Sequence, residues 1–320
     1  MAPPKSLENI AVVGATGHIG GVIVSALLKT GKHTITALTR AASRGVLPAG
    51  VKRVQVDYND QETLVAALRG QDFLIITLAV RAPGDTHSKL VQAAAAAGVP
   101  YVMPNNYGSD IRNPKLAEDT YGAVIKEQID EIERLGVAYV SLACAVWYEW
   151  SLALGEPWFG FDIKARKVTF FDDGKTVVNT STWEQCGRAV AALLSLPETG
   201  ASPALADWKN EPVYIRSFQV SQREMLDSLH RVLGTTDADW TISYEPAAKR
   251  AQDGQAELAN GVLTGVAKTM YAKYFMRSKA GELDFPKLDN AVLGLPEESL
   301  DEATKRAVEM VESGWNPLDG

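Results

Sequence analysis

The chain has 320 residues, of which 46% are hydrophobic and 22% charged, the balance of a globular protein with a sizeable core. A net charge of −7 argues against nucleic acid as a main partner, because phosphate backbones are bound by basic surfaces. The two cysteines and four histidines lack metal-ligand spacing, so we expect reduced thiols and no metal site. Without a recognisable signal-peptide core or an apolar run of membrane-spanning length, we expect a cytoplasmic protein with no membrane partner, either a monomer or a homodimer.

Short apolar segments alternate with helical patterns over residues 1–142. One intervening helix is predicted to begin after Asp60, a favourable N-cap residue. The apolar character of the segments is typical of parallel strands that are buried on both faces. The alternation predicts an α/β fold, a doubly wound parallel sheet of the Rossmann type. The predicted strands are Ile10–Val13, Thr34–Leu38, Val51–Val56, Phe73–Thr77, Tyr101–Met103 and Ala138–Leu142.

The composition changes after residue 142, where aromatic side chains become frequent. The segment KVTFFDDGKTVVNTS predicts a β-hairpin that turns at Asp173–Gly174. A later helix is predicted to begin at Ser221, since Glu224 three residues further on completes a capping box.

These elements predict two domains. Residues 1–150 are expected to form the Rossmann domain, and the segments 179–197 and 211–217 are expected to return to it. Residues 151–320 are expected to form mainly a smaller α+β domain for the substrate.

The stretch VVGATGHIGG places glycines between the first predicted strand and a helix. Glycine is required where the chain turns tightly and where a side chain would block a pyrophosphate. The strand–turn–helix context favours a dinucleotide site, and the alternative is a turn made only for packing. The residues predicted to contact the dinucleotide here, and at the end of the fourth strand, are Gly14, Thr16, Gly17, His18, Ile19, Gly20, Leu78 and Ala79.

The end of the second strand indicates which dinucleotide is bound. NAD-binding proteins usually carry a carboxylate there, but this strand ends in Thr39–Arg40, and Arg44 follows. The Arg40 guanidinium offers a planar fork of donors for a 2′-phosphate, so we predict NADP(H); the alternative is that Arg40 is simply a solvated loop arginine. Further along, Asp57 is expected either to contact the adenine or, with Asp60, to cap the next helix.

Several motifs resemble, in chain order, the NmrA-like, isoflavone-reductase-like group of atypical short-chain dehydrogenases. They are VVGATGHIGG, the LTR that ends the second strand, VDYND, YVMPNNYGSD, the helix that carries Lys126, FFDDGKTVVNTSTWEQCGRAVAALL and FPKLDNAVLGLPEESLDEATKRAV. The resemblance covers almost the whole chain. It implies an NADP-binding Rossmann domain with a small substrate domain.

The resemblance also implies roles for residues near the nicotinamide. It makes Lys126 an acid/base group and a cofactor contact, although the spacing of Lys126 along its helix is shifted by about one residue. The alternative for Lys126 is a surface ion pair with Asp130, four residues away. Tyr107 is the second candidate for proton donor, and its position otherwise packs against cofactor or substrate. Asn105 is expected beside the cofactor, where the family often has serine.

Aromatic residues crowd the segment from Trp147 to Phe161, after the sixth predicted strand. Some of them are expected to line an apolar pocket for the substrate, and the alternative is interface core. The residues assigned to substrate binding are Tyr107, Trp147, Tyr148, Trp150 and Trp158.

Together these features predict an NADPH-dependent oxidoreductase that reduces a small apolar, aromatic or enone metabolite, as in secondary metabolism. The Tyr-x-x-x-Lys pair of ordinary short-chain dehydrogenases does not occur in the sequence. Two alternatives therefore stay open: a non-catalytic NADP(H)-sensing regulator that binds a partner protein, and a cofactor-dependent enzyme of a non-redox step. Fold alone does not separate these functions.

Overall fold

A computed structural model describes residues 6–79, 81–115 and 120–315 of the chain. Its strands are β1 (Asn9–Val13), β2 (Thr34–Thr39), β3 (Val51–Gln55), β4 (Phe73–Ile76), β5 (Tyr101–Met103), β6 (Tyr107–Gly108), β7 (Ala138–Ala143), β8 (Val146–Trp147), β9 (Phe161–Asp162), β10 (Lys167–Phe171), β11 (Val177–Ser181), β12 (Glu211–Tyr214), β13 (Phe218–Ser221) and β14 (Thr241–Glu245). Its α-helices are α1 (His18–Thr30), α2 (Gln61–Leu68), α3 (Thr86–Ala97), α4 (Thr120–Arg134), α5 (Tyr148–Ala153), α6 (Glu156–Phe159), α7 (Trp183–Leu194), α8 (Gln222–Leu233), α9 (Ala247–Ala259), α10 (Thr264–Lys279) and α11 (Leu300–Glu312).

The chain divides into two compact units. Unit 1 comprises Met1–Cys144, Trp183–Ile215 and Lys287–Leu295, and unit 2 comprises Ala145–Thr182, Arg216–Pro286 and Pro296–Gly320. The first break follows Cys144, earlier than the residue 150 expected from the sequence. The chain re-enters unit 1 at Trp183 rather than at residue 179, so β11 belongs to unit 2. The segment Lys287–Leu295 also belongs to unit 1, in addition to the returning segments predicted from the sequence.

Unit 1 is built on an eight-stranded sheet in the order β12-β7-β5-β4-β1-β2-β3, with β6 paired to β7. All of the pairings are parallel. Val13 of β1 is in register with Leu38 of β2 and Ile76 of β4, so the carboxyl ends of three strands meet beside the glycine turn. From β1 the chain adds β2 and β3 on one side of the sheet, and from β4 it adds strands on the other side. The carboxyl ends of β1 and β4 therefore mark the topological switch point, where such sheets bind ligands. The predicted doubly wound Rossmann arrangement is confirmed.

Helices cover both faces of this sheet, which explains its apolar strands. The residues Phe73–Ile76 of β4 are 0% exposed. Helices α2, α3 and α4 contribute buried side chains to one apolar cluster with β1 and β4. Helices α1 and α7 pack together so closely that a Cβ atom at Gly187 would lie 2.7 Å from the Val22 carbonyl oxygen. The position of α1, and of the turn that precedes it, is therefore fixed by packing.

The buried carboxylate of Asp289 anchors the C-terminal segment Lys287–Leu295 to unit 1. Asp289 is 3% exposed, and its Oδ2 accepts hydrogen bonds from Trp208 Nε1 at 3.2 Å and from the Tyr214 amide at 2.8 Å. The Asp289 amide in turn donates to the Tyr214 carbonyl at 2.7 Å. The segment thus covers the open edge of β12, whose other edge pairs with β7.

Unit 2 contains two three-stranded sheets, β14-β10-β9 and β13-β11-β8. The predicted hairpin of β10 and β11 was wrong, because these strands lie in different sheets. The turn itself is present, with Asp172 at φ 54° and Gly174 at φ 72°. However, the Asp172 amide donates to the Glu245 carbonyl at 2.8 Å and so extends the pairing of β10 with β14. Strand β11 leaves the turn to pair with β13 and β8.

Two predicted helix starts are confirmed by their caps. The Asp60 side chain accepts from the Glu62 amide at the start of α2. Ser221 and Glu224 form the reciprocal capping box at the start of α8. Short polar motifs of this kind satisfy orphan amide groups locally, which is why the sequence alone reveals them.

Candidate functional site

The glycine turn after β1 has no room for side chains. A Cβ atom on Gly14, where φ is 77°, would lie 1.9 Å from the Thr77 carbonyl oxygen. A Cβ atom on Gly20 would lie 2.2 Å from the Gly14 carbonyl oxygen. Thr77 Oγ1 donates to the Val13 carbonyl at 2.7 Å and locks the ends of β1 and β4 together. Only glycine at these two positions allows the first turn of α1 to pack directly against the end of the sheet.

This turn fits an anionic group. Helix α1 begins after Gly17, an N-cap without a side-chain hydrogen bond, and has no acidic residue in its first turn. Thr16 and Gly17 are exposed, although Ala15 and Ile19 beside them are buried. A helix N-terminus whose first residues are exposed and carry no carboxylate attracts phosphate, and a glycine N-cap leaves space for it. The pyrophosphate of a dinucleotide is the group that the predicted contact residues would hold here.

His18, the first residue of α1, stacks on an aromatic ring that sequence reasoning missed. Its imidazole lies parallel to the indole of Trp183, with ring centroids 5.0 Å apart and an interplanar angle of 6°. Trp183 is the first residue of α7, so the starts of two helices meet beside the glycine turn. No local signal pairs residues so distant in sequence.

Arg40 and Arg44, the predicted contacts of the 2′-phosphate, lie on the loop that follows β2. Arg40 follows β2 directly, and both side chains are exposed. Burial raises the pKa of the nearby Tyr58 phenol, and the positive charge of Arg40 partly opposes that rise. The described residues at this strand end thus present cations where NAD sites present a carboxylate.

Asp57 and Asp60 are both engaged in turns. Asp60 caps α2, and the Oδ1 atom of Asp57 accepts from the Asn59 amide at 2.9 Å. The two carboxylates therefore stabilise successive turns. The structure supports the capping interpretation for Asp60, and contact between Asp57 and the adenine stays a prediction.

The end of β4 is held by Asn105. Asn105 Oδ1 accepts from the Leu78 amide at 2.9 Å, which ties the β4 loop to the loop after β5. Leu78 is half-buried and Ala79 is exposed. The neighbouring Asn106, 2% exposed, donates to the Ser109 carbonyl at 3.0 Å. Asn105 therefore has a structural role, whatever it contacts in addition, and Val80 lies outside the described residues.

The two candidate proton donors have contrasting surroundings. Tyr107 is 9% exposed, and its hydroxyl donates to the Ile76 carbonyl at 3.1 Å. Burial raises the pKa of Tyr107 well above its usual value of 10. The Lys126 side chain is 59% exposed, and its Nζ donates to Asp130 Oδ2 at 2.5 Å. Both the predicted ion pair and an accessible ammonium are therefore present on α4.

The aromatic residues assigned to substrate binding divide into two groups. Tyr148 is 0% exposed and its hydroxyl shares a hydrogen bond of 2.7 Å with Thr304 Oγ1, so it is a core residue and is not retained as a substrate contact. Trp147, Trp150 and Trp158 are half-buried. The centroid distances Trp147–Trp150 and Trp150–Trp158 are both 5.9 Å, with edge-to-face angles of 86° and 89°. These three indoles form a continuous aromatic array in unit 2.

Two further features of the described residues bear on function. Among residues 6–79, 81–115 and 120–315, His, Cys, Asp and Glu side chains form no group of three or more that could hold a metal ion. Over the same ranges, no helix combines the length and apolarity that a bilayer crossing requires.

Comparisons with known proteins agree with this geometry. The family described as NmrA-like matches residues 6–152. The oxidoreductase aprR of Aspergillus flavus is 28% identical over 304 residues, which cover 92% of this chain and 96% of that protein. The isoflavone reductase homolog P3 of Arabidopsis thaliana is 32% identical over 198 residues, which cover 56% of this chain and 62% of that protein.

Solved structures share the fold. The structure of AtPrR2 with NADP⁺ and (+)pinoresinol superposes with a TM-score of 0.73 and covers 94% of this chain and 98% of its own. Its sequence identity is 18%, so the likeness is one of fold. The resemblance inferred from the sequence motifs is confirmed.

Proposed function

We propose that this chain, whose residues 6–152 match the NmrA-like family, is an NADPH-dependent reductase of a small apolar metabolite with an aromatic or enone group. The main observation that supports this proposal is the glycine turn at the carboxyl end of β1. Gly14 and Gly20 exclude side chains there, and α1 offers its N-terminus without a carboxylate. A relative that matches along 96% of its own length is named an oxidoreductase.

NADP(H) is the proposed cofactor. The pyrophosphate would be held by the amides around Gly17, and the 2′-phosphate by Arg40 and Arg44. The exposed guanidiniums after β2 support this choice over NAD. The structural neighbour AtPrR2 was solved with NADP⁺, which is consistent with the same choice here.

When bound, NADPH supplies a hydride to the substrate. The protein then has to deliver a proton to the oxygen, or to the carbon, that gained electron density. Lys126 is the proposed donor, because an ammonium group carries three donor hydrogens and no acceptor. It contacts Asp130, and its exposure allows the proton to be replaced from solvent.

Tyr107 is the weaker candidate. Its hydroxyl hydrogen already bonds the Ile76 carbonyl, and burial raises its pKa. A proton donor has to reach the reacting atom and regain its proton from solvent, and the buried Tyr107 hydroxyl, which is bonded to a backbone carbonyl, is poorly placed for both. We therefore assign Tyr107 to packing beneath the site.

The half-buried array of Trp147, Trp150 and Trp158 supports an aromatic or conjugated substrate. Indoles that meet edge to face leave ring faces available for a flat apolar molecule. The neighbouring carboxylate of Glu149, 2% exposed, lies 3.9 Å from Arg306 Nη2 within the same unit.

The decisive experiment measures NADPH oxidation by the purified protein with a panel of aromatic ketones and enones. Lys126→Met is expected to lower kcat about 100-fold and to leave NADPH affinity nearly unchanged. Lys89→Met is the matched control, since Lys89 also pairs with a carboxylate four residues away on a helix of unit 1. Full turnover by Lys126→Met would show that Lys126 is not the proton donor. If no compound of the panel supports NADPH oxidation, the proposed reductase activity is wrong.

One observation favours a second candidate, a non-catalytic NADP(H) sensor. Both named donors have protein partners, Asp130 for Lys126 and the Ile76 carbonyl for Tyr107. A sensor would bind NADPH and NADP⁺ in calorimetric titration and would not turn over any substrate. A reductase requires turnover, so parallel binding and activity measurements separate the two functions.

A further inference from the structure

We propose that Arg53 is a positioning residue for recognition of the 2′-phosphate, acting by holding the loop of Arg40 and Arg44 against the glycine turn. This inference rests on the proposed binding of NADP(H). Arg53 lies on β3, at the edge of the sheet, and belongs to none of the sequence motifs associated with the cofactor. Its side chain reaches across to the loop that joins β2 to β3.

The first observation is a hydrogen bond to the loop backbone. Arg53 Nη2 donates to the Gly45 carbonyl at 2.7 Å. Gly45 directly follows Arg44, so this bond fixes the backbone next to one of the two cations. The contact is exposed, and its distance is that of a charge-assisted hydrogen bond.

The second observation is the close approach of Gly45 to the glycine turn. A Cβ atom on Gly45 would lie 2.5 Å from Thr16 Oγ1 and 2.8 Å from Thr16 Cβ. Only a residue without a side chain can therefore come this close to Thr16. The loop after β2 and the turn after β1 meet at this contact, so the loop that carries Arg40 and Arg44 lies beside the glycine turn.

The loop is further shaped at its start. The Ser43 amide donates to the Arg40 carbonyl at 3.0 Å, which closes a turn between the two arginines. One end of the loop is fixed by β2, its middle is held by Thr16 and Arg53, and its far end enters β3. Bidentate recognition of a phosphate depends on the position of the guanidinium fork, and ordering a loose loop at the moment of binding costs affinity.

A positioning role of Arg53 predicts a different result from a purely electrostatic contribution of its charge. NADPH and NADH share the pyrophosphate, but only NADPH carries the 2′-phosphate, so a general loss of positive charge weakens both cofactors and weakens NADPH more. Loss of loop position weakens NADPH beyond that electrostatic effect and spares NADH. The decrease in the ratio of NADPH to NADH affinity, compared with the decrease in a variant that loses the same charge, therefore measures the positioning role.

The experiment is calorimetric titration of wild type, Arg53→Met and Lys52→Met with NADPH and NADH. Lys52→Met is the matched control, because Lys52 is the neighbouring exposed cation of β3 and its loss changes the net charge equally. Arg53→Met is expected to weaken NADPH binding about fivefold, the equivalent of one net hydrogen bond, with NADH binding unchanged. Gly45→Ala is a second variant that displaces the same loop through Thr16, and it should lower the same ratio.

Each contrary result overturns the inference in a recognisable way. Unchanged NADPH affinity in Arg53→Met, or equal losses for both cofactors, would show that Arg53 does not position the loop. An equal effect of Lys52→Met would assign the loss to charge alone. Equal affinity of the wild type for NADPH and NADH would overturn the proposed choice of cofactor. This failure is distinguishable from a failure of the Arg53 inference, because it is seen in the wild type before any variant is measured.

Discussion

His87 makes the stability of unit 1 depend on pH. Its side chain, on α3, is 2% exposed, and neither ring nitrogen has a hydrogen-bond partner in the described part of the chain. Burial lowers the pKa of His87 from its ordinary 6.5 to about 4, and Glu131 opposes the decrease only in part. The folded protein therefore holds a neutral imidazole over a pH range in which the unfolded chain binds a proton.

The sign and size of the effect follow from linkage. Above pH 6.5 both states are neutral at this position and His87 adds no pH dependence. Below 6.5 the unfolded state takes up a proton first, so the free energy of unfolding decreases, and the decrease levels off near pH 4. Each pKa unit is worth 1.36 kcal/mol, so the total loss is about 3 kcal/mol.

The assay compares urea unfolding of wild type and His87→Leu at pH values from above 6.5 to about 4, with hydrogen exchange of α3 as a local measure. The variant should be the more stable protein throughout, by about 2 kcal/mol at neutral pH, because two unpaired buried nitrogens are removed. Its advantage should grow by about a further 3 kcal/mol on acidification. His230→Gln, a control histidine on α8, should retain the acid-dependent loss. An advantage that stays constant with pH would refute the reasoning.

Three further variants test the packing and the site. Gly20→Ala places a methyl group 2.2 Å from the Gly14 carbonyl oxygen, so it should destabilise the protein by about 2 kcal/mol and weaken NADPH binding, as measured by melting and titration. Asp289→Ala leaves two buried donors unpaired and should lower the free energy of unfolding by about 2 kcal/mol in urea, whereas a change below a few tenths would show that water replaces the carboxylate. Arg250→Met removes a guanidinium that is 2% exposed and bonded to Glu156 and Glu245, with an expected loss of about 3 kcal/mol; wild-type stability would mean that the two carboxylates relax into solvent.

Features encoded within a few residues could be predicted from the sequence. The strand, glycine turn and helix around Gly14 belong to this class, as do the caps at Asp60 and Ser221. Each depends on backbone groups satisfied by near neighbours, so the residue types alone specify the geometry. The parallel sheet followed from the same logic, since continuous apolar strands have to be covered on both faces.

Features made by distant residues could not be predicted. The turn at Asp173–Gly174 was visible, but the partners of β10 and β11 are set by β14 and β13, far along the chain. The stack of His18 on Trp183 likewise depends on how α1 and α7 pack. Tyr148 stands among half-buried aromatic neighbours in sequence, and its tertiary contact with Thr304 shows that it is a core residue.

The edge cover of β12 has a consequence for the synthesis of the chain. The segment Lys287–Leu295 is translated long after the strands that it completes, so β12 has an open edge while unit 2 is being made. An unpaired strand edge is a template for association with other chains. Chains that stop before Asp289 should therefore aggregate, and folding of unit 1 to its final state should wait until most of the protein has left the ribosome.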